Sequence, residues 1–174
     1  MHPITSRTIA IFSIAVCAPF AWAQACFDNQ QLALVQQETK ALLYVWSPRM
    51  VLSAYEAASV RRQARAQGLR FVPLHDPSVP SEEITAAFNR MVSSGVTALI
   101  NSASDLKTSE PLCASALLER DALRHFSTAF VLLPRGLSGF PIVGAMPASA
   151  WSLSLQQRLL LPTLTALPAA QTTP

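Results

Sequence analysis

The chain is poor in glycine, with 5 in 174 residues, and poor in charge, with 13% Asp, Glu, Lys and Arg. So few glycines leave little backbone for a phosphate-cradling loop, and neither a P-loop nor a dinucleotide-binding glycine pattern occurs. No Cys-x-x-Cys is present, and no Gly-x-Ser-x-Gly nucleophile elbow. No apolar run reaches the about 20 residues that a membrane-spanning helix needs. With 51% hydrophobic residues, the composition excludes a disordered chain, which combines low hydrophobicity with high charge. No repeat of fixed period is seen, and the length suits one domain.

The mean hydropathy of +0.31 directs attention to the N-terminus. Arg7 precedes an apolar run from Thr8 to Phe20, followed by the small-x-small sites Ala21-Trp22-Ala23 and Ala23-Gln24-Ala25. This is the layout of a secretory signal, so residues 1–23 are expected to be removed and the remainder to act in the periplasm without stable membrane insertion. Arg7 is one of 13 Lys and Arg set against 10 Asp and Glu, so its removal takes the net charge from +3 to +2. That balance is too mild and too evenly spread to indicate a nucleic-acid partner.

Along the rest of the chain, "ALLYVW" (41–46) reads as a strand buried on both faces. Ser47-Pro48 then reads as a helix cap and first turn, opening a helix to Gln67. Its inner stripe is Met50, Ala54, Ala57, Ala58 and Val60, with Arg61, Arg62 and Arg65 on the wet side and Gly68 as the stop. "LRFVPL" (69–74) is a second strand. Pro80-Ser81-Glu82-Glu83 opens a helix with apolar face Ile84, Ala87, Phe88, Met91 and Val92, ended by Gly95. Val96 to Ile100 fits either strand or helix, 101–111 reads as loop, and 112–123 as a helix carrying Cys113. "TAFVLL" (128–133), a turn, "PIVGA" (141–145) and a helix over 148–161 follow. In that helix Trp151, Leu155, Leu159 and Leu160 point inward, and a Pro/Ala/Thr-rich tail covers 162–174.

This order predicts an α/β domain over 24–161: a parallel βαβ unit followed by ββα, a central mixed sheet flanked by helices. "ALLYVWSPRM", "HFSTAFVLLPRGLSGFPIVGAMP" and "AWSLSLQQRL" resemble the first strand and active-site helix, the final hairpin and the closing helix of the thioredoxin-like fold. Two hallmarks of that family's chemistry are missing. The strand-to-helix junction, Trp46-Ser47-Pro48-Arg49-Met50, holds no cysteine, and Ser127 stands where the family has a cis-proline.

The resemblance implies a member without redox chemistry at that junction. It would act as a binding or assembly factor for an envelope system of the secretion or conjugation type, with no cofactor. The implied partner edge is Trp46, Ser47, Pro48 and Arg49 facing His125, Phe126 and Ser127, although Trp46 and Phe126 fit a core role equally well. Two alternatives remain open on the sequence. One is a thiol-disulfide oxidoreductase using Cys26 and Cys113, and the other a weak metal chaperone using His75, Asp76 and His125.

With Cys17 lost in the signal, Cys26 and Cys113 form an even pair in an oxidising compartment, which is the pattern of a structural disulfide. Closing a loop of this size contributes about 4–5 kcal/mol in the chain-entropy model. Replacing either cysteine with serine should therefore lower stability by about 2–5 kcal/mol. Alkylation of the native, unreduced chain should label neither thiol; ready labelling of both would refute the pairing.

Overall fold

A computed structural model describes residues 40–112, 127–134, 136–138 and 140–160. Cys26, Cys113, His125, Phe126, the expected signal and the expected tail lie outside them.

The first strand, β1, spans Ala41–Trp46, and every one of its residues is buried. Alternation along the strand sends Leu42, Tyr44 and Trp46 into one apolar cluster and Ala41, Leu43 and Val45 into a second on the opposite face. A strand covered on both sides needs no polar alternation, which is why the run reads as continuous. Helix α1, Val51–Ala66, carries the chain to β2, Arg70–His75, which pairs parallel with β1 from Ala41↔Arg70 to Trp46↔His75. Gly68 makes that return possible. It adopts φ +71° just past the helix, so its N–H reaches the Arg65 carbonyl and the Leu69 N–H reaches the Ala64 carbonyl.

Helices α2 (Ser81–Ser93) and α3 (Thr97–Leu106) follow, then a short strand β3 (Glu110–Pro111) parallel to β2. Strand β4, Thr128–Leu133, is antiparallel to β1 on its other side, from Ala41↔Leu132 to Val45↔Thr128. Two short strands, β5 (Gly136–Leu137) and β6 (Ile142–Val143), both run antiparallel to β4. Helix α4, Ala148–Leu160, closes the fold. The mixed sheet therefore runs β3-β2-β1-β4 with the β5/β6 return beyond β4. Parallel β2-β1, antiparallel β4 and a returning hairpin strand form the mixed-sheet α/β arrangement, a βαβ unit followed by ββα, expected from the sequence. Helices α1 and α4 pack on the face that carries Tyr44 and Trp46.

Several boundaries differ from the sequence reading. Helix α1 starts at Val51 rather than Pro48, because residues 47–50 close a turn in which the Met50 N–H bonds the Ser47 carbonyl (2.9 Å). Met50 thus precedes the helix instead of lining its inner stripe. Residues 97–106 form a helix where strand-or-helix and then loop were expected. Leu99, Ala103 and Leu106 supply its apolar face, and buried Ser102, which broke the pattern in the sequence, points into the molecule. Leu112 itself is not helical, since its N–H bonds the His75 carbonyl (2.9 Å) and extends the β2–β3 pairing; the rest of the helix expected over 112–123 lies outside the described residues. The final hairpin's returning strand shrinks to Ile142–Val143. Val92 and Leu160, both assigned inward, are 61% and 86% exposed, whereas Trp151 and Leu155 are fully buried as expected.

Candidate functional site: the β1–α1 junction and the buried carboxylate beneath it

Parallel pairing delivers β1 and β2 to one edge of the sheet, the edge at which α/β folds assemble their sites. There β1 ends in Trp46-Ser47-Pro48-Arg49. The β1–β4 register sets Ser127, one residue before Thr128, beside the end of β1. The topology thus brings Ser127 to the junction; His125 and Phe126 lie outside the described residues.

The side chains at this edge are engaged inside the protein. Trp46 is fully buried, with its ring against Phe88 (centroids 5.7 Å apart) and its Nε1–H donating to Ser109 Oγ (2.8 Å). It is core, not a binding aromatic. Ser47 is buried too: its Oγ accepts from the Arg49 N–H (3.2 Å), and its own N–H donates to Ser53 Oγ (3.3 Å). The hydroxyl holds the turn before the helix rather than capping α1 itself. Pro48 is half-buried in that turn. Arg49 is exposed, but its guanidinium forks onto Glu83 of α2, with Nε and Nη2 at 3.0 and 2.9 Å from the two carboxylate oxygens. That pairing holds the Glu83 carboxyl below its ordinary range.

Beneath the junction lies a feature the sequence reading missed. Glu56, in the middle of α1, is buried, and no cation partners it among the described residues. Its Oε1 accepts from the Ser127 hydroxyl (2.6 Å) and lies 3.1 Å from the Tyr44 hydroxyl. Its Oε2 accepts from the Met146 N–H and from Trp151 Nε1–H, both at 3.3 Å. The Tyr44 hydroxyl also reaches the Ser53 carbonyl (2.7 Å). Burial, then the neighbouring Glu56 carboxylate, push the Tyr44 phenol well above its ordinary range. The signal for Glu56 was available. It falls between Ser53 and Val60 at helical spacing, on the stripe that faces the sheet.

His75, at the end of β2, is buried, and its Nδ1 lies 3.1 Å from the same Ser109 Oγ that accepts from Trp46. With that oxygen already accepting, its proton is free to go to an unprotonated Nδ1, which suits a neutral ring. Burial lowers the His75 pKa, against an opposing pull from Asp76. Among the described residues no three His, Cys, Asp or Glu side chains gather into a metal-binding group. The expected trio of His75, Asp76 and His125 cannot be assembled from described residues alone.

Neither a protein-family profile nor a curated protein sequence matches the chain. Among solved structures it is similar to a secreted Mycobacterium tuberculosis disulfide oxidoreductase homologous to E. coli DsbE. The identity is 15% and the TM-score 0.44, covering 71% of this chain and 85% of that one. No helix among the described residues is long and apolar enough to cross a membrane.

Two predictions follow from this geometry. Glu56→Leu leaves the donors of Ser127, Met146 and Trp151 without their acceptor. Each orphaned buried donor costs ~1–3 kcal/mol, so a loss of at least about 3 kcal/mol is expected from denaturant unfolding. Glu56→Gln should cost substantially less. Its oxygen can face the two N–H donors while its NH₂ faces the hydroxyls, which can turn to accept. Equal losses for the two variants would contradict this network.

His75 sets a pH dependence. Its folded-state pKa is lowered, so as pH falls below about 6.5 the unfolded chain takes up a proton first. Stability should drop on acidification through that window and level off once the folded-state pKa is passed. Unfolding free energies measured between about pH 7.5 and 5.5 should fall more for the wild type than for His75→Gln; parallel curves would exclude the effect.

Proposed function

We propose that the chain is an extracytoplasmic, thioredoxin-like binding protein that performs no disulfide exchange at its β1–α1 junction. In this reading it serves as an assembly factor for a bacterial envelope system and captures a segment of a partner protein along the start of α1. The observation that carries the reading is the state of the junction. No thiol is present there, the Ser47 hydroxyl is committed to a turn, and Arg49 is tied to Glu83. Nothing at this position can attack a disulfide.

Directly after it, Val51, Leu52 and Tyr55 are 68%, 65% and 51% exposed. Exposed apolar side chains adjoining one another on a helix are a feature of partner surfaces. An open groove of about 510 Å³ runs beside them, between α1 and the Ala145–Pro147 segment, and a smaller cleft of about 280 Å³ lies on the other side, between α1 and α2. This surface replaces the Trp46, Ser47 and Ser127 side chains as the contact region, since those are buried.

The test is a pair of measurements. Leu52→Asp should abolish co-purification with the envelope partner while leaving the melting temperature nearly unchanged, because an exposed side chain contributes little to folding. Insulin reduction should be absent from a chain in which Cys26 and Cys113 are both serine. Turnover in that double variant would overturn the binding-only reading.

A further inference from the structure

At the far end of α1 from the junction, an open cleft of about 450 Å³ is lined by Arg61 and Arg65 of α1, Arg70 and Phe71 of β2, and Asp105 and Thr108 of α3. Three guanidinium groups share this cleft with a single carboxylate. Asp105 belongs to Arg61: its side chain is 6% exposed, and its Oδ2 lies 2.9 Å from Arg61 Nε. The contact is a charge pairing without an aligned hydrogen bond, so both atoms stay buried with their hydrogen-bonding capacity unused. Arg65 and Arg70 form no ion pair among the described residues.

The arginine at 65 has a local reason to be there, since the last turn of a helix favours a cation. That reason does not reach Arg61, a turn earlier, or Arg70, which lies on a strand. Their convergence leaves the cleft with an excess of two positive charges. Burial holds the Asp105 carboxyl above its usual range, against the pull of Arg61, Arg65 and Arg62, which weakens the one countercharge further. Guanidinium forks fit phosphate oxygens in pairs, and two unpaired guanidinium groups match a doubly charged tetrahedral oxyanion.

We propose that the cleft formed by Arg61, Arg65 and Arg70 is a phosphate-binding site, with Asp105 holding Arg61 in place. Two sources could supply the group: a soluble phosphate compound or the headgroup of an anionic phospholipid. The site stands apart from the α1 start and needs no partner protein.

The purified full chain, in phosphate-free buffer, is titrated with inorganic phosphate and followed by calorimetry. Saturable binding is expected, weakened about tenfold by either Arg65→Gln or Arg70→Gln and unchanged by Arg90→Gln on α2. Both cleft residues are exposed, so circular dichroism should show both variants folded. Vesicles of phosphatidylglycerol then separate the sources. Co-flotation that inorganic phosphate competes away assigns the lipid headgroup; phosphate binding without co-flotation assigns a soluble compound. Absence of phosphate binding, binding indifferent to both substitutions, or equal affinity for acetate would overturn the proposal.

Discussion

Three donors converge on the Glu56 carboxylate, from Ser127 just before β4, the segment before α4 and α4 itself, with the Tyr44 hydroxyl of β1 beside them. A charge withdrawn from water is costly unless each of its oxygens is met by donors, and here both are. The consequence is positional. Trp151 and Met146 belong to a part of the chain about 90 residues away, and they meet α1 at one specified point because only there can their N–H groups be satisfied. Apolar packing alone would hold α4 against the sheet with more freedom to slide, since hydrophobic contact is non-directional. Tyr44 adds a second tie, resting its ring edge-on to Trp151 (6.3 Å) while its hydroxyl reaches across to α1.

The same economy of polar groups is seen at the junction. In a strand-to-helix connection with a free thiol, the helix start would favour the thiolate. Here the turn at 47–50 moves the helix start to Val51, and the hydroxyls of Ser47 and Ser53 satisfy the turn's own backbone. Arg49, exposed at the edge, is neutralised by Glu83, which also pins α2 to the turn. Just past that pair the outward side chains of α1 are the apolar Val51 and Leu52, on which the proposed partner contact rests.

Much of the architecture was legible from β1 and its partners. "ALLYVW" and "TAFVLL" are unbroken apolar runs because two clusters cover both sides of the sheet, and Gly68 marks the end of α1 because its φ is positive. The site was less legible, for reasons that lie in single residues. Trp46 can serve core or surface, and only the position of Ser109, 63 residues later, decides it. Glu56 sits on the inward stripe of α1, but its partners Ser127 and Trp151 lie 71 and 95 residues away and come to it only in the fold. Helix α3 is hard to read in the sequence because Ser102, as fully buried as Leu106, is polar.

Ser102 has a wider effect. Its hydroxyl accepts from the Ala58 N–H (3.1 Å) and donates to the Tyr55 carbonyl (3.3 Å), so α3 touches the backbone of α1 directly. A short hydroxyl side chain thus sets the approach of α1 and α3 here, and a larger residue would not fit at this fully buried position. Any drift at this position toward a larger side chain must wedge α3 outward and carry with it Ala98, which lines the groove beside the exposed face of α1. The contour of the proposed partner surface is thus under steric control from a residue that no partner can touch.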